Sequence, residues 1–220
     1  ELNEIGEGRT VAVEFDVTDR ASVEALAETT VEEFDEVDVL VNNVGGGHQS
    51  PFEDFAVEDW HRVIELNING TFNTTQLIGN QIRTSGGGSI INIASMAGVN
   101  GLPYKTPYGI VKAGIINFTS TLAYEWAHDN VRVNAIAPGV ISTDRIVDIS
   151  PMPVPPVDEI NRDEVARRVG RPEEIADVAQ MLASQAASYI SGTTVQVCGP
   201  PRLEREFYVT EDENGVSWNW

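Results

Sequence analysis

The chain has 220 residues, 41% of them apolar, which suits one globular domain with a substantial core and argues against a second full domain. It has no apolar run of the ~18 residues a membrane span needs, and Glu1 to Arg9 are too polar for a secretory signal, so a soluble, cytoplasmic protein with no membrane association is expected. With 34 acidic against 14 basic residues and a formal charge of -20, nucleic acid is a poor partner. Such self-repulsion is read as halophilic, at home in a salt-rich cytoplasm where charges are screened to about 3 Å at 1 M, the rival being an acidic mesophilic protein. The single Cys198 allows no internal disulfide, in keeping with a reducing compartment.

Short apolar runs alternate with longer amphipathic stretches, the pattern of a parallel sheet covered by helices on both faces. This predicts an α/β fold. A first strand is expected near Thr10 to Phe15, then a helix from about Asp19 to Phe34 with Asp19 as N-cap. Val37 to Val41, apolar apart from Asp38, reads as a central strand. After a turn at Asn42 to Gly47, a long helix from about Val57 to Ile82 carries Trp60, Ile64, Ile68 and Phe72 at spacings of four, and Gly86 to Gly88 stop it. Ser89 to Ala94 is the next strand, Pro107 to His128 a helix, and Val131 to Ala135 a strand that leads into a turn at Ala137, Pro138 and Gly139.

Between Ser142 and Asn161, Pro151, Pro153, Pro155 and Pro156 are too many for a regular helix and predict a mobile flap. A helix from about Pro172 to Ser188 and a strand from Thr193 to Val197 close a single domain over residues 1–199. The tail, residues 200–220, is polar and aromatic by turns; disorder, the more frequent fate of a terminus, and a subunit contact are both open for it.

Tyr108 and Lys112 stand four apart at the start of a predicted helix, so both side chains emerge on one face and address one bound molecule. A free phenol ionises near pH 10, and a neighbouring ammonium favours the ionised form, so a tyrosine so placed can exchange a proton with a substrate oxygen. Thirteen residues upstream, Ser95 follows a strand, at the end of an open sheet where ligands bind. The string N-N-V-G at Asn42 to Gly45 follows another strand in the same way, and its glycine lets backbone approach a flat ligand. Asn67, among apolar neighbours on the long helix, needs a partner for its amide. His48, His61, His128 and Cys198 are scattered and suggest no metal site; Trp60 and Trp126 read as packing or subunit contacts.

Six strings resemble the short-chain dehydrogenase/reductase family in order and spacing: D-V-T-D at Asp16 to Asp19, N-N-V-G at Asn42 to Gly45, N-I-N-G at Asn67 to Gly70, I-A-S-M-A-G at Ile93 to Gly98, Y-G-I-V-K at Tyr108 to Lys112, and A-P-G-V-I-S-T at Ala137 to Thr143. The resemblance implies a Rossmann-like, doubly wound parallel sheet and an oxidoreductase using NAD or NADP. It implies Tyr108 as general acid/base, Lys112 as the group that lowers its pKa and holds the nicotinamide ribose, Ser95 as a hydrogen-bond partner of the reacting oxygen, and Asn67 as holder of a relay water. Asp16 and Val17 would contact the adenine, Asn43, Val44 and Gly45 would flank the adenosine ribose, and Pro138, Gly139, Ile141 and Thr143 would seat the nicotinamide. Structural rivals stand beside these roles: Ser95 as a strand terminator, Asn67 as a satisfied core amide, Asp16 as a turn former.

The chain departs from the family in two places. The strand and glycine-rich turn that usually open the fold are not in it, and Gly86 to Gly88 follow a helix, the wrong order for a phosphate loop. About 40 residues, including the first strand-helix-strand unit, are therefore expected to be missing by analogy with the family. At Cys198 to Pro201 the string C-G-P-P replaces an acidic residue and paired glycines. The expected substrate is a small molecule, an alcohol or ketone or an oxoacyl or enoyl thioester, with L-A-Y-E-W-A at Leu122 to Ala127 a weak pointer to acyl-CoA or terpenoid alcohols. A homodimer or homotetramer is expected, and the rival reading is a non-catalytic relative that binds no cofactor.

Overall fold

A computed structural model describes residues 8–149, 155–160, 168–199, 208–212 and 215–219. Its centre is a parallel sheet of four strands, β1 (Val39–Asn42), β2 (Gly88–Ile93), β3 (Val131–Pro138) and β4 (Thr194–Val197), hydrogen-bonded in that order. Successive strand residues point to opposite faces, and the core divides accordingly. Leu40, Ile90 and Val133 stand in register and join Ala27, Ile78, Ile82 and Leu122 on one face, while Ile91 and Ile136 join Leu182 and Ala187 on the other. Each buried valine, leucine or isoleucine among them contributes roughly 1.5–3 kcal/mol. Helices cover both faces of this Rossmann-like α/β domain, and no helix among the described residues is long and apolar enough to cross a membrane.

The helices begin with α1 (Arg20–Phe34), where Asp19 is the N-cap, its carboxylate accepting from the Ala21 amide at 3.1 Å. The predicted long helix is a continuous helical run over residues 57–84 with two widened turns: α2 (Val57–Ile64), a π turn (Glu65–Asn69), α3 (Gly70–Thr74), a second π turn (Thr75–Gly79) and α4 (Asn80–Thr84). Side chains bond to ladder carbonyls beside both. The Asn67 amide donates to the Val63 carbonyl at 2.8 Å, and the Thr74 hydroxyl to the Gly70 carbonyl at 3.0 Å. Then come α5 (Met96–Val99), α6 (Thr106–Glu125), α7 (Asp144–Ile149) and α8 (Pro172–Ala183).

Three expectations need correction. Thr10 to Phe15 alternates exposed and half-buried residues as a strand would, but forms no ladder with any described strand, because alternation encodes a face and not a partner. Val37 to Val41 is not central: β1 lies at the edge of the four-stranded sheet, with Val39 38% and Val41 46% exposed. The segment from Ser142 is partly regular, since α7 forms before the first proline, with the Thr143 hydroxyl accepting from the Ile146 amide at 3.3 Å. The remainder of the expected flap at residues 150–154 and Asn161 lies outside the described residues. In the tail, β5 (Tyr208–Asp212) and β6 (Gly215–Asn219) pair as an antiparallel hairpin.

Candidate active site

The site forms at the C-terminal ends of β1, β2 and β3, where the chain leaves each strand. Ser95, just past β2, is the N-cap of α5, its hydroxyl accepting from the Ala97 amide at 3.1 Å. That turn lies directly on α6: a β-carbon on Gly98 would come within 2.5 Å of the Lys112 carbonyl carbon, and one on Gly109 within 3.0 Å of the Ala97 carbonyl oxygen. Glycine at 98 is therefore what lets the turn carrying Ser95 and the helix carrying Tyr108 and Lys112 meet.

Lys112 is only 3% exposed. Its ammonium donates to the Ile93 carbonyl at the end of β2 (2.9 Å) and stands 5.6 Å from the centre of the Tyr108 ring. Burial penalises the charged form and lowers its pKa to about 8. Facing it is the loop after β1. A β-carbon on Gly45 would meet Asn67 Oδ1 at 2.6 Å and Lys112 Nζ at 3.1 Å, and one on Gly47 would meet the Tyr108 ring at 2.8 Å. Asn67, fully buried, fixes that loop: its amide donates to the Gly46 carbonyl at 2.7 Å and its oxygen accepts from the Gly46 N–H at 3.3 Å.

Beneath the loops runs a polar ladder that the sequence reading missed. Asn42 and Asn92 are opposite each other on β1 and β2, with Asn42 donating to Asn92 Oδ1 at 2.8 Å and to Thr75 at 2.9 Å, and accepting from Thr74 at 2.6 Å. Asn92 donates on to Thr119 of α6 at 2.9 Å. A fully satisfied buried network of this kind fixes one geometry. Its visible signal was an asparagine within the apolar string Ser89 to Ala94.

The remaining expected residues differ in their engagement. Asp16 is bound up locally: its carboxylate accepts from the Thr18 hydroxyl at 2.7 Å and amide at 2.8 Å, which hold its pKa below the usual value. Val17 is buried against Gly70, and its carbonyl accepts from Asn73 at 3.1 Å. Asn43 and Val44 are exposed beyond β1. Pro138 ends β3, and the Gly139 amide donates to the Val197 carbonyl at 2.9 Å, with Cys198 packed where a β-carbon on Gly139 would fall. Ile141 bridges to Gly170, and Thr143 caps α7.

The family model described as enoyl-(acyl carrier protein) reductase matches residues 1–199. The chain belongs to the short-chain dehydrogenase/reductase family. It is 39% identical over 193 residues to the 3-oxoacyl-[acyl-carrier-protein] reductase of Synechocystis sp., covering 87% of this chain and 76% of that protein. It is 36% identical over 200 residues to the 7alpha-hydroxysteroid dehydrogenase of Escherichia coli K12, covering 90% and 76%. A solved 7alpha-hydroxysteroid dehydrogenase complexed with NADH and 7-oxo glycochenodeoxycholic acid superposes with a TM-score of 0.79 at 33% identity, covering 92% of this chain and 80% of that one. Like its relatives, this short-chain dehydrogenase/reductase is an oxidoreductase.

Proposed function

We propose that this chain interconverts an alcohol and a ketone, or reduces an oxoacyl or enoyl thioester, with NAD or NADP, and that Tyr108 exchanges the proton. The observation that carries the reading is the buried Lys112 ammonium, held on the Ile93 carbonyl beside the Tyr108 ring. A buried lysine with one hydrogen bond is costly to fold, and its position beside a phenol gives that cost a use.

The residues present fit a flat dinucleotide. The exposed Asn43 and Val44 beyond β1 and the Lys112 ammonium against Gly45 offer polar groups at the strand ends, where dinucleotides bind in such sheets. Gly45, Asn43, Val44, Lys112, Pro138, Gly139, Ile141 and Thr143 would hold it, with Val17 and Asp16 at its far end. When bound, the dinucleotide supplies or accepts the hydride.

Tyr108 passes a proton to, or takes it from, the substrate oxygen, which the Ser95 hydroxyl also contacts. The ammonium of Lys112 favours the phenolate and so eases that transfer. Asn67 acts first as a positioning residue, since both of its amide protons go to backbone carbonyls, at Val63 and Gly46. Its oxygen and Lys112 Nζ both stand too close to Gly45 for a β-carbon, so the water that completes the relay from Lys112 lies on another side of the ammonium. Oligomers of two or four chains and a salt-rich cytoplasmic setting are part of the same proposal.

Titrating the chain with NADH and NADPH by fluorescence, then measuring turnover of Tyr108→Phe, tests it. The variant should bind dinucleotide as the parent does and lose about 10²- to 10⁴-fold in kcat. Intact turnover in the variant would remove Tyr108 from the chemistry, and no dinucleotide binding by either chain would favour the non-catalytic relative.

A further inference from the structure

We propose that Lys105 selects the substrate, binding the carboxylate of an oxo acid whose carbonyl lies at Tyr108; this rests on the function proposed above. Of the two lysines in a chain of charge -20, one is Lys112 and the other is Lys105, one helical turn before Tyr108. Helical side chains lean toward the N-terminus of their helix, so the Tyr108 side chain lies over the turn from which Lys105 emerges.

The backbone here is pinned from both sides. The Ser50 amide, from the loop after β1, donates to the Tyr104 carbonyl at 3.0 Å, and the Lys105 carbonyl accepts from the Gly109 amide at 2.8 Å. Tyr104 is held at φ 61°, a left-handed conformation uncommon for a residue with a side chain. The Lys105 side chain itself makes no hydrogen bond or ion pair with a described residue, although the chain is rich in carboxylates.

Nothing about folding recommends a lysine here. As the N-cap of α6 it makes no capping hydrogen bond, where Ser, Thr, Asp or Asn would. A cation at this end of a helix also opposes the helix dipole. It is half-buried, and desolvation disfavours its charge and lowers its pKa. A residue unfavourable on three counts, fixed at the rim of the site, gains a favourable role when an anion arrives. The chemistry that fits is a carboxylate near the ketone, because the distance from Lys105 to Tyr108 is one turn of helix.

The test compares the parent, Lys105→Met and Lys105→Arg on 2-, 3- and 4-oxo acids and their methyl esters, with NADPH and NADH. The parent should favour at least one acid over its ester by about ten- to a hundredfold in kcat/KM. Lys105→Met should erase that preference through KM, leaving ester turnover unchanged and the melting temperature no lower, and Lys105→Arg should restore it. Turnover of acid and ester at equal efficiency by the parent, or a preference that survives Lys105→Met, overturns the role of Lys105 and leaves the oxidoreductase reading standing. Failure of the parent to reduce any compound of either series overturns the role of Lys105, and the dinucleotide titration with Tyr108→Phe turnover decides the oxidoreductase reading separately.

Discussion

The loops at the C-terminal ends of the strands and the outer edge of β1 lie a few residues apart in sequence and are built in opposite ways. At the strand ends close packing and buried hydrogen bonds set the geometry: Gly98 seats one turn on α6, Asn67 ties down Gly46, Lys112 reaches the Ile93 carbonyl, and Asn42, Asn92 and Thr119 lock sheet to helices. Along β1, Val39 and Val41 are partly exposed and pair only with Ser89 and Ile91 of β2, no described strand lies on the other side, and Thr10 to Phe15 does not join the sheet. Rigidity is concentrated where groups must meet with small tolerance, and the hydrophobic core under β2 and β3 carries the sheet regardless of its edge.

The sharpest way to test the first half of that comparison is Lys112→Met. Activity should fall by about 10²-fold or more, through loss of the proton-transfer partner. Stability should move the other way. With its pKa lowered from 10.5 to about 8, the folded state disfavours the ammonium by about 3 kcal/mol at neutral pH, partly offset by the hydrogen bond to Ile93 at about 1–3 kcal/mol. The variant should therefore melt no lower than the parent at pH 7.

The sign of the pH dependence follows from the same lowered value. Between about pH 8 and 10.5 the unfolded chain keeps the lysine proton that the folded chain has released, so the parent gains stability as pH rises through that window. The advantage of the variant should shrink over the same range. Thermal melts at pH 7 and at pH 9.5 check this, and a variant that melts well below the parent at pH 7 would mean that Lys112 holds the fold together.

Gly98→Val comes next. The added β-carbon would sit 2.5 Å from the Lys112 carbonyl carbon and 2.6 Å from the Ala113 nitrogen, and neither is a side chain that can swing away. Separating α5 from α6 should cost about 3 kcal/mol or more and displace Ser95 from Tyr108, reducing kcat beyond what the stability loss explains. Denaturant melts with kinetics on the folded fraction separate the two effects.

Sequence alone reached much of the first region and little of the second, for a physical reason. Of the six strings, those at Asn42, Ile93 and Ala137 lie at strand ends and those at Asn67 and Tyr108 lie on helices that pack against them, while Asp19, Pro107 and Pro172 mark helix starts through local chemistry. Local chemistry does not say what lies across a gap. The apolar content of Val37 to Val41 reports burial of faces, so it could not distinguish an edge strand from a central one. Nor could the spacing of Gly47 and Gly98 announce that one touches the Tyr108 ring and the other the Lys112 backbone. The π turns were hidden because Asn67 and Thr74 satisfy helix periodicity and disturb only the hydrogen-bond ladder.

The smallest effect belongs to the edge. Val41 is 46% exposed on β1, and threonine has nearly the same shape and a similar preference for strands, so Val41→Thr should alter stability by less than about 0.5 kcal/mol. Placing a hydroxyl in a covered apolar site costs more than that, because it loses water without gaining a partner. A denaturant melt of the variant that shows a loss above about 1 kcal/mol would thus mean that this face of β1 is covered in solution, and the contrast between a locked strand-end site and an open edge would have to be withdrawn.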